Sequence, residues 1–309
     1  MGFTLDPTLS IRRGLKAVVR QQLKRTEKRL RQNRGDDVHE ARKSVKKVRA
    51  VVALLQKAGT GSLGRDERRL RAAGRTLSII RDADALIATF DRLRARYPKR
   101  LREHAHSIVR RRLVQAKRHV LEETAADQRL AQAADALHAV RRSAKRWNVP
   151  AIDARDLPHL IKASYKAARK AMSRAQEEMA PSELHRWRKR VKTLWYQMRV
   201  AAPLAPGLRD EIRRFKTLET WLGEAHNLSL LQMTIGDDRD LTHRLPGAVR
   251  EVMASSRDLE AALRRKAFAL GKELMTQPSK SFARDLRRAI TSSPRHAATS
   301  KGGPASAVA

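Results

Sequence analysis

The residues best placed to do chemistry are His39, Arg42, Lys46 and Arg49, spaced by three, four and three along one segment. In the second half of the chain His185, Arg188 and Lys192 stand at the same spacing, and the two segments also share Lys43 with Lys189 and Val45 with Val191. Guanidinium groups offer forked hydrogen bonds to anionic oxygens, ammonium groups offer mobile point charges, and imidazole adds a charge that depends on pH. Such a set suits the binding of anions and is not a catalytic constellation.

Positioning these groups requires helices. Val38, Ala41, Val45, Val48, Val52 and Leu55 step by three and four, as do Leu184, Trp187, Val191, Leu194, Met198 and Ala201. That spacing makes an apolar seam of the kind that packs in helical bundles with shallow crossing angles. Each of His39, Arg42, Lys46 and Arg49 follows a seam residue by one position, about 100° round the helix. The cations therefore flank the core and do not point away from it. His185, Arg188 and Lys192 repeat the arrangement, with Trp195 and Tyr196 closing it. The first row spans about 15 Å, with roughly one cation per turn.

Composition agrees with an anionic partner. The 68 Lys and Arg residues exceed the 32 Asp and Glu residues by a formal +36, which opposes compaction unless a polyanion relieves it. No acid lies between Ala41 and Arg65 or between Leu184 and Arg209, so the charge is concentrated around both segments. With no Cys, the chain has no disulfides, thiolate metal sites or Cys nucleophiles. The first residues lack the charged and apolar regions of a secretory leader, and no apolar run approaches the ~18 residues of a membrane span. A cytoplasmic protein without a membrane partner is expected.

Ala, Leu, Arg, Lys, Glu and Gln dominate from Leu9 to Ile290, which predicts an all-α fold. Length and repetition predict two tandem four-helix-bundle-like halves related by internal duplication. An N-terminal extension covers 1–8, the first bundle 9–146, a linker 147–156, the second bundle 157–290 and a disordered tail 291–309. Helices are expected near 9–33, 36–57, 64–96, 99–124, 127–146, 157–179, 182–202, 207–235, 242–276 and 278–290. Arg12, Lys16 and Arg20 precede the first signature helix on one helical face, and Lys162, Lys166 and Lys170 precede the second; both are read as further anion-binding rows. The segment Leu77 to Asp82 echoes Leu222 to Asn227. A carboxylate there best serves to pair with a neighbouring helix, for instance with an Arg of the basic row. Asn227 opposite Asp82 argues against acid–base work, which an amide cannot do.

At these residues the chain resembles the CHAD family, the conserved histidine α-helical domains. The resemblance covers approximately residues 9–290. It rests on the His-x-x-Arg-x-x-x-Lys faces at His39 and His185, the Arg81-Asp82-Ala83-Asp84 segment and the duplication. It implies two four-helix bundles about a pseudo-two-fold axis, enclosing a basic surface that binds inorganic polyphosphate, often at polyphosphate granules. By position, the implied binding residues are His39, Arg42, Lys46 and Arg49 with His185, Arg188, Lys192 and Tyr196; Lys43, Lys189 and Arg199, beside them, are expected to bind polyphosphate as well. Two positions depart from the repeat: Trp195 stands opposite Arg49, and His226-Asn227 opposite Arg81-Asp82.

A flexible phosphate polymer needs dense charge and little shape, which these rows supply. Histidine among anionic oxygens favours its charged form, so affinity is expected to rise as pH falls below neutrality. Nonspecific DNA or RNA binding at low salt is the closest alternative, although an aromatic content of 4% gives few stacking surfaces. Catalysis is not expected: no Walker loop, His-Glu-x-x-His or Gly-x-Ser-x-Gly motif is present, and the rows contain almost no carboxylate for a metal. No cofactor or metal is called for.

Overall fold

Proline opens helices here because a first-turn residue has no intrahelical use for its N–H. A computed structural model describes residues 2–32, 37–61, 63–101, 103–123 and 125–292. Its helices are α1 (Ile11–Gln32), α2 (Asp37–Lys57), α3 (Gly64–Arg96), α4 (Glu103–Glu123), α5 (Ala126–Lys145), α6 (Leu157–Glu178), α7 (Pro181–Ala201), α8 (Arg209–Asp237), α9 (Arg239–Arg244), α10 (Pro246–Met275) and α11 (Ser279–Thr291). The described residues contain no strand. Pro181 and Pro246 are the first residues of α7 and α10. The single helix expected over 242–276 is divided for that reason: Pro246 inside it would lose a hydrogen bond and clash with the preceding turn. Instead α9 precedes it, capped by Asp238, whose Oδ1 accepts the Leu241 N–H at 3.1 Å.

The fold is all-α, with bundle-like halves. In the first, α1 and α3 each pack against both α2 and α5, and α4 lies along α3. In the second, α7 packs between α6 and α8, α10 against α8, and α11 against α6. The halves meet where α2 packs on α7 and α3 on α8. Every residue of the two predicted seams is buried. On α2, Ala50, Val51 and Leu54 are buried as well, because this helix has α1 and α3 on one side and α7 on another.

The apolar interior does not divide between the halves. One cluster joins Leu15, Leu55 and Leu77 to Tyr165, Trp187 and Leu218. A second joins Phe90, Leu93 and Leu113 to Leu228, Leu231 and Val252. Along α3 the first cluster ends at Ile80 and the buried residues of the second resume at Phe90, with Arg81, Asp82 and Asp84 between them.

The segment read as a linker is packed. Trp147, Val149, Ile152 and Ala154 are buried in the first cluster. Trp147 Nε1 donates to Asp66 Oδ2 at 2.8 Å, and Ser143 Oγ donates to the same oxygen at 2.6 Å. One buried carboxylate thus ties the start of α3 to the end of α5 and to the crossover. The N-terminal extension is also anchored: Phe3 and Leu5 are buried, and the Leu5 N–H donates to the Val200 carbonyl at 2.8 Å. Residues 293–309, most of the expected disordered tail, lie outside the described residues.

Gly271 of α10 shows how tightly α7 is held. A Cβ there would stand 2.7 Å from Trp187 Cζ2 and 3.0 Å from Met172 Sδ, whereas one on Gly14 would meet only the end of the Leu5 side chain, at 2.8 Å. Alanine adds about 1 kcal/mol of helix propensity at either site, but overpacking a fully buried indole costs roughly 1–3 kcal/mol. Gly271→Ala should therefore lower the melting temperature by a few degrees relative to Gly14→Ala in thermal circular dichroism. Equal melting temperatures would show that Trp187 has room to move.

Candidate anion-binding site

Because the cations sit one position past the seam on α2 and α7, packing these helices together brings both rows into the same space. Gln197 Nε2 of α7 donates to the Ala50 carbonyl of α2 at 3.0 Å, a buried tie at the crossing. α3 and α8 form the other walls.

Arg42 is fixed from α3. Its Nε donates to Ser78 Oγ at 3.0 Å and its Nη1 pairs with Asp82 Oδ1 at 2.9 Å. Arg81 Nε donates to His39 Nδ1 at 2.9 Å, which leaves Nε2 to carry the proton of a neutral His39 ring. From the other half, Lys192 pairs with Glu219 of α8, which also receives Lys216 Nζ at 2.8 Å. His185 lies against His226 with ring centroids 4.4 Å apart. Arg188 Nε and His185 Nδ1 are buried without a hydrogen-bond partner among the described residues.

Like charges and partial desolvation act together on these groups. Burial, then Arg42, Lys192 and Arg188, lower Lys46 to about 6, against an opposing effect of Asp82. Arg188 falls to about 10 through burial, with Glu219 as the strongest opposing influence and Arg42 among the repelling neighbours. Burial and nearby cations bring His185 to about 4 and His226 to about 3, so both rings are neutral at neutral pH. Burial pushes Glu219 upward, but Lys192 and Lys216 outweigh it and hold the carboxyl at about 2. The pH response expected from His185 is thus absent near neutrality, whereas Lys46, at about 6, changes its charge there.

The structure brings together His39, Arg42, Lys46, His185, Arg188 and Lys192 from the two predicted rows. Arg49 and Lys189 lie at one edge, within electrostatic reach of each other and, for Arg49, of Arg71 and Arg75. Lys43 pairs with Glu40 at 2.7 Å, and Arg199 lies over the Trp195 ring, 5.6 Å from its centroid. Tyr196 is in the core instead, edge-on to Phe3 at 5.7 Å, because the N-terminal segment folds over it.

The earlier rows sit elsewhere. Arg12, Lys16 and Arg20 line a separate open cleft of about 800 Å³ with Lys145 and Trp147. Lys16 Nζ is held there by the Lys145 and Trp147 carbonyls, each at 3.0 Å. Lys162 is partly buried on α6, and Lys166 and Lys170 are exposed. Periodicity correctly puts each trio on one helical face but does not say which way the face turns.

Ser78, Glu219 and Lys216 belong to the site and were missed. Glu219 shares a face of α8 with Leu222 and His226, at intervals of three and four, which is the signal that an acid lies on the inward side. Among the described residues, no cluster of three or more His, Cys, Asp or Glu is placed to hold a metal, and no helix is long and apolar enough to cross a membrane.

Comparison with known proteins adds the lineage. None of the curated proteins searched matches the chain. The crystal structure of the CHAD domain from the plant Ricinus communis is similar with a TM-score of 0.64 at 17% identity, over 89% of this chain and 94% of that one, a likeness of fold. The CHAD domain pattern itself matches residues 14–236, a span that contains both signature helices and the α3 and α8 walls described above. The chain therefore belongs to the CHAD domain family.

Proposed function

We propose that the protein binds inorganic polyphosphate in the cytoplasm, at polyphosphate granules, through the cluster between α2 and α7, without catalytic turnover. The observation that carries this reading is the convergence of Arg42, Lys46 and Arg81 from one half with Arg188 and Lys192 from the other. Burial first, and then repulsion from Arg42, Lys192 and Arg188, bring Lys46 to about 6. A polyanion relieves that repulsion, and a chain of phosphates can engage several of these cations at once. The cluster's carboxylates, Asp82 and Glu219, are engaged by Arg42 and by Lys192 with Lys216, which favours binding over metal-assisted hydrolysis. Trp195 and Tyr196, the aromatic groups beside the row, are buried, which favours phosphate recognition over base stacking.

Replacing Arg42, Lys46, Arg188 and Lys192 together by Ala should lower polyphosphate affinity by at least a hundredfold. Replacing the exposed Arg142, Arg250, Arg287 and Arg288 should lower it by less than tenfold. The slope of log K against log salt should become shallower by roughly 0.7 per lost phosphate contact, by analogy with single-stranded nucleic acid. Equal losses from the two sets would assign binding to net charge. Displacement of polyphosphate by duplex DNA at equal phosphate concentration and near-physiological salt would favour the nucleic-acid reading. Sustained orthophosphate release with Mg²⁺ or Mn²⁺ would overturn the non-catalytic one.

Lys46 gives a pH test. Its pKa of about 6 leaves it largely uncharged at pH 7.5 in the free protein, and phosphate oxygens favour the charged form. Binding should then take up a proton, and affinity should rise as pH falls from 8 towards 6. Calorimetry in buffers of different ionisation enthalpy measures that uptake, and Lys46→Met should abolish it. The stability sign is the reverse: the unfolded lysine holds its proton up to its ordinary value of 10.5, so stability rises with pH from about 6 to that value. Lys46→Met should flatten this rise and raise the melting temperature at pH 7 while weakening binding. A lower melting temperature would show that Lys46 contributes more through packing than it costs in repulsion.

A further inference from the structure

Beyond the cationic cluster, on the far side of His185 and His226, a cleft of about 870 Å³ opens between α8, α10 and the start of α7. Its walls are apolar: Leu184, Leu222, Leu230, Met233 and Phe268 line it. The lining residues of α8 run from Leu222 to Met233 and those of α10 from Arg257 to Phe268, so the groove is about 16 Å long at 1.5 Å per residue. Met233 at its rim is 61% exposed and the adjoining Met179 is 49% exposed. Methionines in such a position suit a ligand of adaptable shape. The volume falls within the roughly 300–1,000 Å³ of small-molecule sites.

The polar groups of the cleft specify the sign of the ligand. Arg257 and Arg265 are exposed on α10, and neither forms an ion pair among the described residues. Arg264 is paired with Glu260, but among the described residues its Nε has no acceptor and His185 Nδ1, in the floor, has no partner. Glu260, the acid in the lining, is already held by Ser229 Oγ and Gln232 Nε2 at 2.8 Å each as well as by Arg264. The cleft therefore presents an apolar trough with free cationic donors and an engaged carboxylate. We infer that it binds a single-chain anionic amphiphile, an acyl carboxylate whose chain lies between α8 and α10 and whose head group meets the arginines of α10. This site is distinct from the polyphosphate reading and does not depend on it.

The test is calorimetric titration of the full chain with dodecanoate below its micellar concentration. Expected are one saturable site, roughly tenfold weaker binding of decanoate, as two fewer buried methylenes dictate, and weaker binding of the uncharged dodecyl maltoside. Ala261→Trp, at an exposed position of the lining, should fill the groove and reduce dodecanoate affinity at least tenfold. Met233→Glu should do the same by repelling the head group and wetting the rim. Arg257→Gln with Arg265→Gln should weaken dodecanoate but not dodecyl maltoside, and the Ala261 and Met233 variants should leave polyphosphate affinity unchanged. Many weak sites without chain-length dependence, or wild-type dodecanoate affinity in both the Ala261 and Met233 variants, would overturn the proposal. So would self-association that Ala261→Trp abolishes while dodecanoate fails to bind, which would assign the groove to a second copy of the chain.

Discussion

Everything in this molecule depends on forcing like charges together by burying the residues next to them. On α2 and α7 each cation is one position from a seam residue, so the two seams cannot pack without the two rows converging. The apolar contacts that close the core are thus opposed by the repulsion they create. Asp82 and Glu219 moderate that repulsion, and Lys46 escapes it in part by giving up its proton near neutral pH. Ionisable groups perturbed by burial and by named neighbours are characteristic of functional sites, and here the perturbation has a direct structural cause.

Much of this was legible in the sequence. The three-four spacing of Val38 to Leu55 and of Leu184 to Ala201 marks the seams, and the position of Arg42 or Arg188 one step on marks the flank. Even the pairing of Arg42 with Asp82 follows from an acid on the third helix opposite an Arg-rich row. The misreadings have physical causes. Tyr196 looks available until Phe3, from a segment that reads as a mere extension, packs against it. Arg12, Lys16 and Arg20 share a face, but the face turns towards Lys145 and Trp147 because α1 packs on α5 as well as on α2. Glu219 shares the inward face of α8 with Leu222 and His226, but its partner Lys192 comes from α7, a pairing that no spacing within α8 announces.

Histidine shows the difference between a motif and its chemistry. The sequence offers His39 and His185 as charges switched on by mild acid. In the fold, His39 accepts a hydrogen bond from Arg81, and His185 and His226 stay neutral down to about 4 and about 3 beside the cations. The rings of His185 and His226 form a wall with cationic groups on one side and an apolar trough on the other, a use of imidazole that needs no ionisation at all.

The unbroken apolar cluster that crosses from α2 to α7 has an implication for how the chain can be divided. A fragment ending near Arg146 would retain Arg42 and Lys46 yet lose Arg188, Lys192 and the cover of α7. Water would then solvate the ammonium group and restore its ordinary affinity for protons. The proton-sensitive character of Lys46 is consequently not an attribute of the repeated helical unit but emerges only when two such units share an interior.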